Sequence, residues 1–158
     1  MSTLEIRSTD RDAIVEACIR MGWCIDQLDW DGLIDLFADE VLMDYTSLYG
    51  GAPERLASGD IVARWAAALT GLDATQHVIT NHLVGVDGDR GTCTAHVIGT
   101  HRLAGAMGGS LWTFGGTYHL GVVRTFSGWK IESLTLNVLW ADGNQQITTH
   151  HGVAAGDL

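Results

Sequence analysis

The second half of the sequence constrains the fold more than any other part, because it consists almost entirely of segments with the residue pattern of β-strands. Two of these segments meet at the hairpin signal Asp87-Gly88-Asp89, and two others meet at Ser127-Gly128. Strands joined by such short turns are antiparallel neighbours. We therefore predict an antiparallel meander of four strands, covering residues 74–86, 91–103, 111–126 and 129–140.

Helical periodicity dominates the first half of the chain. A first helix is predicted from a cap at Ser8 or Thr9 to about Leu28, and Asp29 caps a second helix over residues 30–37. A third helix is predicted over residues 61–69, and a strand over residues 41–47 lies between the second and third helices. Helices followed by antiparallel strands predict an α+β fold, in which the helices pack against one face of a curved, mostly antiparallel sheet.

The length of 158 residues suits a single domain with its own core, and we expect one domain over residues 1–158. Residues 141–158 show no periodicity and are predicted to form a polar C-terminal tail. No apolar run approaches the roughly 20 residues of a membrane span, and the first dozen residues are too polar for a leader peptide. A membrane partner is therefore not expected.

Charge and cysteine content narrow the range of partners and compartments. The formal net charge of −10 disfavours binding to nucleic acid or to an anionic membrane surface. The three cysteines, Cys18, Cys24 and Cys93, form no CxxC pair and are odd in number, which is typical of core thiols in a reducing compartment. The sequence therefore predicts a cytoplasmic protein.

Asp26 stands out within the first predicted helix. Counting back by helical turns from Asp26 gives Gly22, Ile19 and Val15, so its carboxylate projects from the flank of the buried face. Gly22, one turn earlier, is expected to leave room above it. A buried, unpaired charge is costly, so Asp26 requires a partner on the sheet or a working role in a cavity.

Several histidines on the predicted strands are candidate partners. His77 and His101 fall on strand faces that carry apolar neighbours, whereas His82 and His96 fall on the opposite faces. The pairs 77/82 and 96/101 are five residues apart and therefore point to opposite faces, so no metal site is predicted. Taken singly, an inward histidine is more often a core residue with hydrogen-bonded ring nitrogens than a catalytic residue. A carboxylate, two histidines and the nearby Tyr45 together are typical of a proton-transfer site.

These residues resemble a known family. Asp26, the DWDGL run from Asp29, the Asp44-Tyr45-Thr46-Ser47 run and Thr75-Gln76-His77 are similar to the scytalone dehydratase-like, SnoaL-like members of the NTF2-like superfamily. The resemblance implies a cone-shaped fold with a deep apolar pocket between sheet and helices. It also implies that Asp26 orients His77, which moves protons during the loss of water without a cofactor. Tyr45 would hold a water against the substrate carbonyl.

The resemblance also suggests further site residues. A second catalytic histidine of the family matches His101. A tyrosine before the helix aspartate is replaced here by Ile25, and a serine and an asparagine of the long strand match Thr117 and His119. The predicted catalytic residues are thus Asp26, His77, Tyr45 and His101. The predicted substrate-binding residues are Gly22, Ile25, Thr117, His119 and Asn137.

The resulting hypothesis is a cofactor-independent dehydratase acting on a small hydroxylated cyclic ketone or polyketide-like molecule. Removing a proton α to a carbonyl needs a base that titrates near neutral pH, and histidine is such a base. An isomerase or an aldol-type cyclase would begin with the same enolate, so either remains an alternative. A non-catalytic module that binds a small apolar or aromatic oxygenated molecule, or that only oligomerises, is the alternative from a different class.

The long strand bears on assembly, because both of its faces carry bulky side chains. One face presents Trp112, Phe114 and Tyr118, which is too large an aromatic surface to leave in water. We expect a second subunit to cover this face, in a homo-oligomer that is a trimer or a dimer.

Overall fold

The computed structural model describes residues 3–149 of the chain, with side chains from residue 10 onward. Four α-helices and six β-strands are followed by one short 3₁₀ helix, Gln145–Thr148. In chain order they are α1 (Thr3–Asp26), α2 (Trp30–Ile34), β1 (Phe37–Asp44), α3 (Thr46–Tyr49), β2 (Glu54–Ala57), α4 (Ser58–Leu69), β3 (Ala74–Asp87), β4 (Arg90–Arg102), β5 (Leu111–Thr125) and β6 (Gly128–Gly143). None of the described helices is long and apolar enough to cross a membrane.

The six strands form one sheet in the order β2-β1-β6-β5-β4-β3. All neighbours are antiparallel except β1 and β6, which run parallel. The sheet is open and curved, and α1 packs on its concave face, where Ile14, Cys18 and Met21 join Cys93 and Val122 in the core. This arrangement confirms the predicted α+β fold with N-terminal helices against a curved, mostly antiparallel sheet.

The four-strand meander lies within a few residues of its predicted bounds, whereas the short elements differ more. The first helix begins at Thr3 and ends at Asp26, and the second ends at Ile34 because residue 37 already belongs to β1. The cap at Asp29 is present, since its side chain accepts the backbone N–H of Gly32. Neither α3 nor β2 was predicted, because four-residue elements show no periodicity.

A bulge in β3 reverses the direction of the side chains in its second half. Asn81 has φ +59°, and the pairing with β4 shifts between Thr80 and Leu83. As a result Leu83 points outward and is 73% exposed, while His82 is half-buried. The predictions that Leu83 shares a face with His77 and that His82 faces away were wrong, because strict alternation fails across an inserted residue.

The aromatic residues of β5 face the interior of the same chain. Trp112, Phe114 and Tyr118 are 3%, 4% and 2% exposed, and they belong to the core between sheet and helices. The prediction that another subunit covers them was therefore wrong. The outer face of the sheet carries a different apolar row, Val78, Ile98 and Trp140, in which Trp140 packs over Gly115.

Residues 141–149, predicted to begin a polar tail, instead belong to the packed structure. Strand β6 extends to Gly143, and the 3₁₀ helix that follows buries Ile147 and Thr148. Asn144 begins this helix by accepting the backbone N–H of Gln146. The remainder of the predicted tail, residues 150–158, lies outside the described residues.

Candidate active site

The end of α1 determines where Asp26 lies. Leu28 adopts the left-handed conformation at φ +56°. The backbone N–H of Leu28 donates to the carbonyl of Ile25, and that of Asp29 donates to the carbonyl of Cys24. These two bonds form a Schellman motif, which ends the helix and turns the chain. Asp26 is thereby held at the last helical position, with its carboxylate directed at β3.

Gly22 brings α1 close to β3. A Cβ atom at Gly22 would lie 2.8 Å from Ile79 Cδ1 and 3.3 Å from His77 Cβ, so a side chain here would displace the end of Ile79 and crowd His77. Gly22 was expected to leave room for substrate above Asp26. The structure corrects this assignment, because Gly22 packs against the strand and is not among the residues that line the cavity described below.

Three hydrogen bonds hold the carboxylate of Asp26. His77 Nδ1 lies 2.7 Å from Oδ1, the His77 backbone N–H donates to Oδ2 at 2.8 Å, and the Thr75 hydroxyl donates to Oδ1 at 3.0 Å. These bonds offset the unfavourable placement of a carboxylate at a helix C-terminus. An ionised Asp26 places the ring proton of His77 on Nδ1, which leaves Nε2 as a free basic nitrogen.

His101 lies beside His77 on the neighbouring strand. The two rings meet edge to face with centroids 5.8 Å apart, and His101 Nδ1 lies 3.3 Å from the carbonyl oxygen of Trp112. Burial, and then the proximity of His77, lower the pKa of His101 to about 4. His101 is therefore neutral at pH 7, and as a neutral ring it donates through Nδ1 and keeps Nε2 as an acceptor.

The Asp44–Ser47 run places Tyr45 at the cavity. Asp44 Oδ1 accepts the backbone N–H of Thr46 at 3.1 Å and its hydroxyl at 2.7 Å, which fixes the turn between β1 and α3. Ser47 Oγ donates to the carbonyl of Leu136 at 2.6 Å and so ties α3 to β6. Tyr45 is thus held between two anchored residues.

Tyr118 is a site residue that the sequence analysis missed. Its side chain is a neighbour of that of Tyr45, and burial raises the pKa of both phenols. Both hydroxyls are therefore protonated at neutral pH and can donate hydrogen bonds. The alternation of β5 places Tyr118 on the same face as Trp112 and Phe114, but it does not show that this face is internal.

A cavity of about 70 Å³, here called the inner cavity, lies beside His77, His101, Tyr45 and Tyr118, and Asp26 is not among its lining residues. Of the predicted site residues, Ile25, Tyr45, His77 and His101 line it. Its other lining residues are mostly apolar and come from the helices, from β5 and β6 and from the C-terminal 3₁₀ helix: Leu48, Tyr49, Trp65, Ala68, Leu69, Trp112, Phe114, Tyr118, Leu136 and Thr148. Thr148 shows that residues after β6 close part of this cavity.

Thr117, His119 and Asn137 do not belong to the cavity. Thr117 and His119 flank the inward Tyr118 on β5 and therefore point to the outer face of the sheet, where Thr117 Oγ1 and His119 Nε2 are 3.3 Å apart. Asn137 pairs with Thr117 and is also exposed. Their assignment as substrate-binding residues was wrong, because the neighbouring aromatic positions of β5 face inward.

Within residues 10–149, no group of three or more histidine, cysteine, aspartate or glutamate side chains is arranged to hold a metal ion. The site chemistry that the described side chains themselves offer is acid–base chemistry. It comprises one carboxylate–imidazole pair, one neutral imidazole and two protonated phenols.

The buried His101 predicts a pH-dependent stability. Its pKa is about 4 in the native state and 6.5 ordinarily, so between these values the unfolded chain binds more protons and stability falls as the pH falls. From about pH 7.5 to about pH 5, the wild type should lose about 2 kcal/mol more unfolding free energy than His101→Gln. Urea denaturation of both proteins at each pH measures this difference. Equal losses would show that His101 is not held neutral.

Comparison with known proteins identifies the family. The model of the SnoaL-like domain matches residues 7–135, which is most of the chain. The chain belongs to the SnoaL-like family. No curated protein sequence matches it significantly.

Solved structures of several proteins are similar in fold to this chain. The Kfla4162 protein of Kribbella flavida is 30% identical, with a TM-score of 0.85 over 90% of this chain and 99% of the other. A protein of Novosphingobium aromaticivorans, described as a proposed aromatic ring hydroxylase, is 26% identical, with a TM-score of 0.77 over 94% and 99% of the two chains.

A second protein of Novosphingobium aromaticivorans, described as a proposed scytalone dehydratase, is 15% identical to this SnoaL-like domain. Its TM-score is 0.79 over 90% of this chain and 93% of the other. At this level of identity the two proteins are shown to share the fold.

Proposed function

We propose that this SnoaL-like protein is a cofactor-independent hydro-lyase that removes water from a small hydroxylated cyclic ketone. The observation that carries the proposal is the 2.7 Å contact between Asp26 Oδ1 and His77 Nδ1 at the wall of an apolar cavity. A carboxylate that fixes the tautomer of a histidine prepares the other ring nitrogen to act as a base. The relation to proteins described as dehydratases supports the same chemistry.

The proposed reaction begins with the removal of a proton. Nε2 of His77 takes the hydrogen on the carbon α to the ketone, and the electron pair of that C–H bond forms an enolate. Asp26 stabilises the imidazolium that results. Tyr45 and Tyr118 donate hydrogen bonds to the enolate oxygen, where the negative charge develops. Because both phenols are protonated at neutral pH, they can act as donors without losing a proton.

The enolate then expels the hydroxyl group on the β carbon. The electron pair of the enolate forms the new C=C bond, and the C–O bond breaks. The leaving oxygen receives the proton held on His77, so one water is released and the histidine returns to its starting state. His101 does not supply this proton, because it is neutral at pH 7. In this scheme its Nε2 accepts a hydrogen bond from the substrate hydroxyl and orients it.

A defined probe tests the proposal. 3-Hydroxy-1-tetralone carries a hydroxyl on the carbon β to its ketone, and loss of water followed by tautomerisation gives 1-naphthol. The purified protein, without added cofactor, is expected to accelerate the appearance of 1-naphthol fluorescence over buffer. A product mass lower by one water identifies the reaction. Absence of acceleration for this and related β-hydroxy ketones would count against the hydro-lyase.

A binding module remains the second candidate, because the inner cavity is small. A volume of about 70 Å³ shows that side chains fill much of the cone interior. Binding of cyclic ketones with no exchange of their α hydrogens would favour this role. Exchange without water loss would instead favour an isomerase or aldol-type cyclase, which shares the enolate step.

We also propose that the protein is a homo-oligomer assembled through the outer face of the sheet. The cross-strand row of Val78, Ile98 and Trp140 is 46%, 44% and 49% exposed, and this apolar surface would be shielded by a second copy. The wild type is expected to sediment as a dimer or trimer at micromolar concentration. Ile98→Lys should sediment as a monomer, and Ile19→Lys on the opposite side of the molecule should not. A monomeric wild type would contradict this assembly.

A cytoplasmic location fits the cysteine chemistry. Cys18, Cys24 and Cys93 are free thiols in the structure, and all three are buried. Free buried thiols are typical of proteins from a reducing compartment. We therefore propose a cytoplasmic location for the protein and its proposed substrate.

A further inference from the structure

A second, larger cavity adjoins the inner cavity. This outer cavity has a volume of about 370 Å³ and lies between α3, β2 and α4. Four residues line both cavities, namely Tyr45, Tyr49, Trp65 and Ala68. They are called the neck here. Because the same four side chains line both cavities, the two spaces adjoin each other at the neck.

The outer cavity is apolar and carries no net charge. Its walls include Met43, Leu56, Ile61, Pro53 and the neck residue Ala68. The charged side chains among its described lining residues are Arg64 and Glu54, and Arg64 Nη1 donates to Glu54 Oε2 at 2.8 Å. This pair neutralises itself, so the cavity offers apolar contact to a ligand and no unmatched charge.

Tyr45 connects the two cavities chemically. It lines the inner cavity together with Tyr118, and its ring centroid lies 6.1 Å from that of Trp65 in the neck. A group held in the outer cavity would therefore pack on the side chain that donates to the proposed enolate oxygen. Binding there can position the reacting ketone, because contacts remote from the reacting atoms hold a substrate in the orientation for reaction.

We infer that the substrate is an extended, uncharged molecule, with its reacting cyclic ketone in the inner cavity and an aromatic or aliphatic body in the outer cavity. This inference rests on the proposed function for the identity of the reacting group. It follows from the relative volumes, since the outer cavity is the larger space and the inner cavity alone is small. Because Arg64 and Glu54 neutralise each other, the outer cavity offers no partner to a charged body.

Binding of two neutral ketones tests the inference. Cyclohexanone represents the reacting ring alone, and 4-phenylcyclohexanone adds an apolar body. Burial of the phenyl ring should tighten binding by roughly tenfold or more, as measured by calorimetry and by quenching of tryptophan fluorescence. Equal affinity for the two ketones would overturn the inference.

A substitution in the neck provides the structural control. Ala68→Leu should fill the neck and bring the affinity for 4-phenylcyclohexanone down to that for cyclohexanone. The matched variant Ala67→Leu places the same side chain at an exposed position of α4 and should leave the phenyl preference unchanged. Thermal melting checks that each variant folds. An unchanged preference in folded Ala68→Leu would overturn the inference.

A second variant tests the same inference if Ala68→Leu does not fold. Glu54→Gln leaves Arg64 without its carboxylate partner at a half-exposed position. It should raise the affinity for 4-(4-oxocyclohexyl)benzoate by roughly twofold to fivefold, with little change for 4-phenylcyclohexanone. No gain for the anion would show that the body of the ligand does not lie near Arg64.

Exchange of α hydrogens separates this inference from the proposed function. If the wild type prefers 4-phenylcyclohexanone but does not exchange its α hydrogens with D₂O, the two-cavity ligand stands and the enzymatic role fails. If cyclohexanone exchanges but the phenyl preference is absent, the proposed chemistry stands and the extended substrate is wrong.

Discussion

His77→Ala is expected to lower the rate of water loss from 3-hydroxy-1-tetralone to that in buffer. His77 supplies the basic nitrogen in the proposed reaction. His101, the other histidine among the described residues that line the inner cavity, has no hydrogen bond to a carboxylate. A general base contributes roughly 10²–10⁴-fold to a rate, so the loss is large enough to measure directly. Fluorescence of 1-naphthol provides the readout.

His119→Ala is the matched control for this substitution. The sequence placed His119 in the site, but the structure places it on the outer face of the sheet. Its removal should leave the rate within about twofold of the wild type at protein concentrations where assembly is intact. A folded His77→Ala protein that retains the wild-type rate would show that the Asp26–His77 pair is structural.

Asp26→Asn is expected to reduce the rate by orders of magnitude, while the protein still folds. The amide oxygen can accept the backbone N–H of His77, which directs the amide NH₂ toward Nδ1 of the same residue. Nδ1 must then accept a hydrogen bond, and the ring proton moves to Nε2, which can no longer act as a base. A corresponding substitution in a serine protease costs about 10⁴ in turnover.

The stability of Asp26→Asn shows whether Asp26 orients His77 or is needed for the protein to fold. Loss of charge-assisted bonds should lower the unfolding free energy by about 1–3 kcal/mol, which leaves a folded protein to assay. Binding of cyclohexanone should change little, since Asp26 acts through His77 rather than on the ketone. Asp31→Asn, an exposed position in α2, is the matched control and should affect neither property. Wild-type turnover by Asp26→Asn would assign Asp26 to structure alone.

The sequence was sufficient to predict the parts of the site that regular periodicity positions. Asp26 lies on the flank of a long helix and His77 follows Thr75 on a strand without interruption, so counting residues placed both on inward faces. The hairpin turns likewise predicted the order of the last four strands. In these segments each residue's direction follows from its neighbours along the chain.

Counting residues along a strand gave the wrong side-chain direction in two cases. One was a bulge, and the other was a strand with bulky side chains on both faces. One inserted residue, Asn81, reversed the directions of His82 and Leu83. On β5 both faces carry bulky side chains, since Leu111, His119 and Val123 lie on the face opposite to the buried aromatic residues. Alternation alone therefore could not decide which face is internal, and Tyr118 was assigned to a subunit interface while His119 was assigned to the pocket.

Contacts between segments that are far apart along the chain could not be predicted from the sequence either. Nothing in the residues near Gly22 shows that β3 packs against it, although this close approach brings Asp26 to His77. The short elements α3 and β2, which form the outer cavity together with α4, have no periodic signal. The burial of Ile147 likewise depends on the strands it meets and not on its own polar neighbours.

Exchange of the hydrogens at C2 of 1-tetralone with D₂O, followed by nuclear magnetic resonance, most directly tests whether Asp26 and His77 form a proton-transfer pair. 1-Tetralone has no leaving group, so the measurement isolates removal of the α proton from the loss of water. The proposal predicts that the wild type accelerates exchange at C2 and that His77→Ala, shown to be folded, does not. Exchange at the buffer rate with the wild type, or equal acceleration by His77→Ala, would contradict it.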